Sequence, residues 1–305
     1  MADPIPSRLL PDNTTIDANC RGSIGGCDLV ELAEQFGTPL FVYDENHLRA
    51  RCREAVEAFG EGVAYAGKAF LCGAMSRLVV EEGMNIDVAT GGELYMALHA
   101  GIDGSRSIMH GNNKSEQELR MAIEAGVSRI IVDSFDELDR LEILHQETGI
   151  SPKILLRITP GVEAHTHEFI STGQDDSKFG FTVSTGIASK AIEKAAHTEA
   201  VELVGIHAHI GSQVFKVDSF VKAVEVMAEF SNPLNLPELS IGGGLGVSYL
   251  EEDNAPSITE WGEAVKSACS QSNIKAKVTA EPGRAIAASA AVTLYPVSYT
   301  HLTLP

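Results

Sequence analysis

Several polar residues of this 305-residue sequence stand at the ends of apolar, strand-like runs, a pattern typical of sites built at strand ends. Lys68 ends the run VAYAGK, where a lysine is costly unless it is solvated, paired or used chemically. One interpretation is a surface lysine whose ammonium reaches water. The other is an amine, desolvated enough to lose its proton, that forms an imine with a carbonyl. The remaining strand-end residues are Asp87, His110, Asn112, Asp133, Arg157, His209, Ser212, Gly242, Gly243, Gly244, Glu281 and Arg284.

Three consecutive glycines, Gly242, Gly243 and Gly244, follow the strand-like run ELSI. Because they have no side chains, their backbone N–H groups are free to approach a phosphate closely. The spacing is not the G-x-G-x-x-G of a dinucleotide-binding turn, and a plain tight turn is the alternative interpretation. A reactive lysine together with a phosphate loop predicts pyridoxal phosphate as the cofactor.

Pyridoxal phosphate needs a partner for its pyridine nitrogen and a group against its ring. Glu281, in AEPGRA, is a carboxylate that would hold the nitrogen protonated and so keep the ring an electron sink. His209, in HAHIGSQ, would stack on the ring, although a core histidine with satisfied hydrogen bonds is the alternative. His207 is interpreted as a core histidine on the opposite face of the strand.

The composition argues against several other classes of function. The net charge of −19 and the pI near 4.9 disfavour binding to nucleic acids or anionic membranes. Five scattered cysteines without a C-x-x-C pair indicate reduced thiols. The pair HTH at 165–167 lacks a third ligand at useful spacing, so no metal is predicted. The absence of a signal-peptide pattern and of membrane-length apolar runs predicts a cytoplasmic protein.

Strand-like and helical segments alternate from residue 63 onward. The strand-like runs are apolar nearly throughout, as expected for parallel strands covered on both faces. Helical segments such as 91–101 and 115–126 separate them and end at glycines. Eight units favour a (β/α)8 barrel over a doubly wound open sheet. The runs begin at residues 63, 85, 107, 129, 153, 203, 238 and 277.

Three further segments stand apart from this alternation. Residues 1–27 are polar and turn-rich and are predicted to be irregular. TPLFVYDE, at 38–45, is predicted to form an additional strand before the barrel. The long insertion at 160–184 is expected to serve a function, because loops of this length rarely lack one.

The same stretches resemble the pyridoxal-phosphate-dependent decarboxylases built on the alanine-racemase-type barrel. The resemblance runs in order over residues 38–287, and VEAHTHEFISTG favours the diaminopimelate branch over the ornithine and arginine branches. It implies a homodimer that decarboxylates meso-diaminopimelate at its D centre to give L-lysine. The motifs that carry it are FVYDE, YAGKAF, IDVATGGEL, LLRITPGVEAHTHEFISTG, SKFGF, GIHAHIGSQ, IGGGLGVSY and AEPGRAI.

The resemblance implies the following residue roles. Lys68 would form the imine with the cofactor, and the amino group of the substrate would displace it. His209 would stack on the ring, and Glu281 would contact the pyridine nitrogen. These three residues are the predicted catalytic set.

Phosphate and substrate contacts are implied in the same way. Ser212 and Gly242–Gly244 would bind the cofactor phosphate. Arg284 would serve either that phosphate or a carboxylate of the substrate. Asp87 and Arg157 would form a supporting pair near the lysine side of the ring.

The sequence departs from the family pattern near its C-terminus. Family members continue after the barrel into a β-domain that shares the strand PLFVYDE and supplies a cysteine and a tyrosine to the partner's site. Here the sequence passes through SAAVTLYPVS to YTHLTLP without either motif. We therefore predict an N-terminal segment at 1–45, a cofactor-binding barrel at 46–287, and the start of a truncated β-domain at 288–305, with SYTHLTLP unlike family sequence. This stretch alone is expected to be poorly active.

Three alternative functions remain open from the sequence. A decarboxylase of another basic amino acid and an amino-acid racemase would use the same barrel and cofactor. A non-catalytic pyridoxal-phosphate-binding barrel would lack the β-domain, and the strand PLFVYDE argues against it because a lone barrel has no sheet for this strand to join.

Overall fold

Strands and helices alternate along the part of the chain that a computed structural model describes, residues 5–162 and 178–296. The strands are β1 (Thr14–Ile16), β2 (Gly22–Ile24), β3 (Cys27–Asp28), β4 (Leu40–Tyr43), β5 (Ala64–Ala66), β6 (Asn85–Val88), β7 (Ser107–Met109), β8 (Arg129–Val132), β9 (Lys153–Thr159), β10 (Phe181–Thr182), β11 (Glu202–His207), β12 (Glu238–Ser240), β13 (Lys277–Thr279) and β14 (Ala291–Leu294). The helices are α1 (Leu29–Phe36), α2 (Glu45–Phe59), α3 (Gly73–Glu81), α4 (Gly91–His99), α5 (Glu116–Ala125), α6 (Phe135–Thr148), α7 (Ile187–His197), α8 (Val217–Ser231), α9 (Ile258–Gln271) and α10 (Arg284–Ala287).

Some predicted features fall outside these ranges. The histidine pair at 165–167, most of VEAHTHEFISTG and of the insertion, and the tail SYTHLTLP at 298–305 lie outside the described residues. Within the two described ranges, none of the helices combines the length and the apolar character needed to cross a membrane.

Eight parallel strands form the central sheet in the order β5-β6-β7-β8-β9-β11-β12-β13, and β10 pairs with the end of β9. The first strand also bonds to the segment after the last. The N–H of Ala64 donates to the carbonyl of Ala280 at 3.0 Å, and the N–H of Ala66 donates to that of Pro282 at 3.1 Å. These bonds close the sheet, so the (β/α)8 barrel is confirmed and the open sheet is wrong. Each of the eight predicted runs contains or overlaps one barrel strand.

Side chains alternate between the two faces of each barrel strand. Ile130 and Leu156 belong to the main core, which lies between the barrel and its helices. Ile131 and Leu155, the neighbours of these residues in the chain, instead form a small separate cluster with Val204 inside the barrel. Each fully buried aliphatic side chain contributes about 1.5–3 kcal/mol. The outer face therefore supplies stability, and the inner face is left for polar groups nearer the carboxyl ends of the strands.

The ends of two helices illustrate how local sequence sets the length of each unit. Helix α5 begins with a capping box formed by Ser115 and Glu118 and ends at Gly126, which adopts a left-handed conformation with φ of 67°. Helix α4 is capped by Ala100, one residue before the predicted Gly101, which follows it with φ of 86°. Glycine at both places permits the reversal into the next strand.

Residues 14–28 contain three short strands, so the prediction that 1–27 is irregular is wrong for this part of the segment. Strands β1, β2 and β3 form an antiparallel sheet. Gly25 and Gly26 join β2 to β3 with φ of 57° and 83°. A two-residue loop with positive φ at both positions is the tight hairpin turn that a Gly-Gly pair favours. The sequence contained this hairpin signal, and its polar surroundings concealed it.

The two strand-like flanks of the barrel pair with each other. Strand β4 confirms the strand predicted in TPLFVYDE, and it pairs antiparallel with β14 from Leu40 opposite Leu294 to Tyr43 opposite Ala291. The Tyr43 ring stacks on the ring of Phe70 with centroids 4.2 Å apart. We call β4 and β14 the flanking ribbon.

A buried lysine that the sequence analysis did not single out joins the helix layer to the barrel. Lys114 is 2% exposed, and its Nζ donates to the carbonyls of Gly111 and Ile131 at 2.6 Å each. Nζ also lies 2.8 Å from Oε1 of Glu137 in α6. The other carboxylate oxygen of Glu137 accepts the N–H of Asp133 at 3.1 Å. The ion pair thus fixes α6 against the ends of β7 and β8.

Replacing Glu137 with leucine would leave the Lys114 ammonium buried without a counter-charge. We expect the free energy of unfolding to fall by about 3–5 kcal/mol, because an uncompensated buried charge is costly. Arg120→Ala is the matched control, since its ion pairs with Glu116 and Glu147 are partly exposed and such pairs contribute about 1 kcal/mol or less. Urea unfolding followed by circular dichroism measures both. Equal losses in the two variants would contradict the assignment.

Candidate active site at the carboxyl ends of the barrel strands

Alternation along the strands directs a set of polar side chains to the inner face of the barrel near its carboxyl end. Asp87 lies between Ile86 and Val88, which both pack outward in the main core, and Glu281 follows the outward-packed Ala280. The ionisable groups that interact electrostatically in this region are Lys68, Asp87, His110, Arg157, His207, His209 and Glu281. The structure therefore brings the core of the predicted set together from separate strands.

Lys68 lies in a single 3-10 turn, Gly67–Ala69, that directly follows β5. The chain is buried from Val63 to Gly67, but Lys68 itself is exposed. The buried run ends one residue before the lysine, so the protein does not desolvate Lys68, and its role as an imine-forming amine stays a prediction. Lys68 still faces Asp87 and the histidines of the barrel interior. It stands at the rim as an amine that solvent or a small molecule can reach.

Glu281 is the best-fixed carboxylate of the site. It is 7% exposed; Oε2 lies 2.9 Å from Nε2 of His207, and Oε1 accepts the hydroxyl proton of Ser240 at 2.6 Å. Burial would raise the pKa of Glu281, but His207, His110 and the two hydrogen bonds outweigh it and hold this pKa well below its usual range. The site therefore contains an ionised carboxylate near neutral pH.

Asp87 and His110 also face Glu281. Nε2 of His110 lies 3.5 Å from Oδ1 of Asp87 and 3.7 Å from Oε1 of Glu281. Burial raises the pKa of Asp87 well above its usual value, and the charge of Glu281 adds to this effect. Burial lowers the pKa of His110 to about 4. These shifts favour the protonated form of Asp87 and the neutral form of His110 beside the Glu281 carboxylate.

His207 belongs to this cluster, which corrects the interpretation that it points to the opposite face. Residues two apart on a strand share a face, and Ala208 between His207 and His209 packs outward in the main core. His207 lies opposite Arg157 in the pairing of β11 with β9. Burial lowers the pKa of His207, so its neutral ring donates Nε2–H to Glu281. His207 is buried, as predicted, but inside the barrel.

The glycine turn lies beside His209 and Glu281. The N–H of Gly243 donates to Nδ1 of His209 at 3.3 Å. A Cβ at Gly243 would collide with the carbonyl oxygen of Glu281, and one at Gly244, where φ is 111°, would collide with that of Gly211. Only glycine fits so close to neighbouring backbone. Burial, together with Lys68 and Arg157, holds the pKa of His209 well below its usual value, so its ring is neutral.

Arg284 completes the rim at the start of α10. Its Nη2 donates to Oγ of Ser212 at 3.3 Å, and its Nη1 donates to the hydroxyl of Tyr249 at 2.7 Å. Its Nε is buried without a hydrogen-bond partner among the described residues. Sequence analysis did not select Tyr249, although it lies in the glycine-rich run SIGGGLGVSY. Arg284, Ser212 and the glycine turn together form a group of donors suited to an anion.

Arg157 forms an ion pair with Asp133. Its Nη1 lies 3.6 Å from Oδ2 of Asp133, and its guanidinium lies over the ring of Phe179 at 4.2 Å from the centroid. Asp133 follows β8, the strand next to β9, whereas Asp87 lies on β6, two strands further along the sheet. Arg157 and Asp87 thus have different neighbours, Asp133 for the first and His110 for the second, and their support of the cofactor ring stays a prediction.

His110, His207 and Glu281 form a cluster that sequence analysis missed. One ligand atom from each lies within 4.8 Å of the others, a spacing that a metal ion could use. The three residues lie at the ends of three separate strands, so no local sequence motif contains all of them. Nε2 of His207 and Oε2 of Glu281 already bond to each other at 2.9 Å. We therefore assign the cluster to fixing Glu281.

These residues fit pyridoxal phosphate. An ionised, buried Glu281 suits a protonated ring nitrogen, and a glycine turn that tolerates no Cβ suits a phosphate. Oδ1 of Asp87, Nε2 of His110 and Nε of Arg284 are buried without hydrogen-bond partners among the described residues. Buried polar atoms are rarely left so. A polar molecule bound between Lys68 and Glu281 would give them partners.

Comparison with known proteins agrees with this fit. The pattern of the family described as pyridoxal-dependent decarboxylase, pyridoxal binding domain, matches residues 45–288. The diaminopimelate decarboxylase of Mycobacterium tuberculosis is 46% identical over 94% of this chain and 68% of its own length. That of Bacillus subtilis is 44% identical over 90% of this chain and 66% of its own length.

The fold also agrees with that of a solved diaminopimelate decarboxylase. Diaminopimelate decarboxylase from M. jannaschii, in complex with L-lysine, superposes with a TM-score of 0.85 at 34% identity. The match covers 92% of this chain and 69% of that structure. The family match over residues 45–288 includes the barrel and the residues of the site described above.

His110 makes the stability of the chain depend on pH. Its pKa is about 4 in the folded chain and about 6.5 when unfolded, so between these values the unfolded state binds more protons. Stability from this group therefore rises with pH across the window and is lost as pH falls. We expect His110→Asn to reduce the slope of unfolding free energy against pH by up to about 1.4 kcal/mol per unit.

Urea titrations at several pH values between about 4 and 6.5 measure this slope. His99→Asn, at an exposed position outside the site, is the control for replacing a histidine. A slope that His110→Asn leaves unchanged would show that His110 titrates normally in the folded chain.

Proposed function

The chain belongs to the pyridoxal-dependent decarboxylase family, and we propose that it decarboxylates meso-diaminopimelate to L-lysine with pyridoxal phosphate as cofactor. One observation carries the proposal: Glu281 is held as a buried carboxylate on the inner face of the barrel, between His207 and Ser240. A carboxylate in this place can keep a pyridine nitrogen protonated. The identity of 46% to a diaminopimelate decarboxylase supports the choice of substrate.

We assign the catalytic roles as follows. Pyridoxal phosphate, when bound, supplies a ring that accepts the electron pair left when carbon dioxide departs. Lys68 would hold the carbonyl carbon of the cofactor through Nζ and release it to the amino group of the substrate. Glu281 would keep the proton on the pyridine nitrogen. His209, whose ring is neutral, would lie against the cofactor ring.

The remaining residues would bind and orient. The backbone of Gly242–Gly244 and the hydroxyl of Ser212 would hold the phosphate. Arg284, bonded to Ser212 and Tyr249, would serve the phosphate or a carboxylate of the substrate. Asp87 and Arg157 would support the lysine side of the ring from separate positions.

We also propose the domain division and assembly that the family resemblance implies. Residues 46–287 would form the cofactor-binding domain, with flanking segments at 1–45 and 288–305. The protein would be a cytoplasmic homodimer in which the two chains share active sites. Sedimentation velocity measures the assembly, and a single-chain mass at micromolar concentration would contradict the homodimer.

The reaction itself is tested by incubating the protein, at its full encoded length, with pyridoxal phosphate and meso-diaminopimelate. We expect equimolar L-lysine and carbon dioxide, and no comparable turnover of ornithine, arginine or L-lysine. Lys68→Ala should reduce turnover by several orders of magnitude. Faster turnover of ornithine or arginine would reassign the substrate, and racemisation without carbon dioxide would reassign the reaction.

The position of the cofactor is tested separately on the same protein. Borohydride reduction followed by peptide mapping should locate the pyridoxyl group on Lys68, because it is an exposed amine that faces Asp87 and His209. Lys114 is the internal comparison, since it lies close in sequence to His110 but is fully buried and ion-paired. A label on any lysine other than Lys68 would contradict the assignment.

A further inference from the structure

Glu281 is held from two strands at once, one for each carboxylate oxygen. Nε2 of His207, the last residue of β11, lies 2.9 Å from Oε2, and Oγ of Ser240, the last residue of β12, lies 2.6 Å from Oε1. Both donors are almost fully buried, with exposed fractions of 1% for His207 and 3% for Ser240. The carboxylate can therefore neither rotate nor gain water in place of these contacts without moving the barrel strands.

The direction of the bond from Ser240 is fixed by a further contact. The N–H of Gly242 donates to Oγ of Ser240 at 3.2 Å, so this oxygen acts as an acceptor there. The hydroxyl proton remains for Oε1 of Glu281, because an ionised carboxylate only accepts. The result is a chain of donors that runs from the glycine turn through Ser240 to Glu281.

The contact from His207 has a fixed direction as well. Nδ1 of His207 is buried and has no hydrogen-bond partner among the described residues, whereas Nε2 faces the carboxylate. The neutral ring must therefore carry its proton on Nε2, since only an N–H can bond to an ionised carboxylate. His207 thus acts as a neutral donor rather than as a counter-charge.

These two donors matter because Glu281 shares its surroundings with a second carboxyl group. The titratable or charged residues that face it are Asp87, His110, Arg157, His207 and His209. Two neighbouring buried carboxyl groups disfavour simultaneous ionisation. Glu281 accepts two strong bonds, whereas Oδ1 of Asp87 accepts none among the described residues. The difference places the negative charge on Glu281 and the proton on Asp87.

We propose that His207 and Ser240 are positioning residues that keep Glu281 ionised and aimed at the ring nitrogen of the cofactor. This inference rests on the proposed function for the identity of the cofactor. Neither residue needs to touch substrate. They act by deciding which of the two carboxyl groups is available to hold the nitrogen proton.

The test uses protein loaded with pyridoxal phosphate labelled with ¹⁵N in the ring, whose nitrogen resonance reports directly whether that atom is protonated. Glu281→Gln gives the reference signal for a nitrogen without a carboxylate partner. We expect Ser240→Ala and His207→Phe to shift the resonance toward this reference. The turnover number should fall by about tenfold to a hundredfold, the loss of one hydrogen bond to a charged group. KM should change by much less.

Matched variants separate positioning from general damage. Ser240→Thr and His207→Gln keep a donor in place and should restore both the nitrogen signal and most of the turnover. Ser107→Ala removes a buried hydroxyl that has no hydrogen-bond partner among the described residues, and it should leave both unchanged. A wild-type nitrogen signal in Ser240→Ala and in His207→Phe would overturn the proposal.

One measurement needs no variant and no cofactor. Histidine-selective ¹⁵N spectra of the wild-type protein should show His207 as a neutral ring protonated at Nε2. A ring protonated at Nδ1, or a charged ring at neutral pH, would overturn the proposal even if the variants fail to fold. Failure of the wild-type protein to bind pyridoxal phosphate would instead reject the proposed function, while the histidine spectrum would still report on the donor to Glu281.

Discussion

The site depends on the competition between two buried carboxyl groups, Asp87 and Glu281, inside the barrel. In such surroundings the second negative charge is far more costly than the first. Two hydrogen bonds, from His207 and Ser240, stabilise the ionised form of Glu281, and the pKa of Asp87 is raised. The negative charge is therefore favoured on Glu281. The neutral histidines and the arginine in the same space are consistent with one fixed anion. The chemistry available at Lys68 follows from where that anion lies.

Much of the fold could be predicted because parallel strands covered on both faces produce long apolar runs. The exceptions have specific physical causes. The N-terminal hairpin depends on one Gly25-Gly26 turn within a polar segment. The position of His207 follows from the two-residue period of a strand, which places His207 and His209 on the same face rather than on opposite faces. Arg157 pairs with Asp133 because the two residues lie on or directly after adjacent strands, β9 and β8. The motifs themselves do not contain this information, since it depends on the order of the strands in the sheet.

The helix layer takes part in the site through a chain of contacts that begins outside the barrel. Lys114 and Glu137 form a buried pair, and Glu137 accepts the N–H of Asp133. The Asp133 carboxylate in turn accepts the N–H of Gly180 and approaches Arg157. Such a chain could not be found from the sequence, because its members are far apart along the chain and individually ordinary. This chain of contacts fixes the position of the Arg157 guanidinium inside the barrel.

The flanking ribbon contacts the barrel next to Lys68. Tyr43, in β4, stacks on Phe70, and the carbonyl of Phe70 accepts the hydroxyl proton of Tyr65 in β5. Phe70 lies two residues after Lys68, so the backbone next to Lys68 is held between a barrel strand and the ribbon. Because β14 pairs with β4 along its length, the ribbon contacts that backbone as one unit through the Tyr43 ring. The segment that carries Lys68 is thus connected, through Phe70 and Tyr43, to strands that lie outside the barrel.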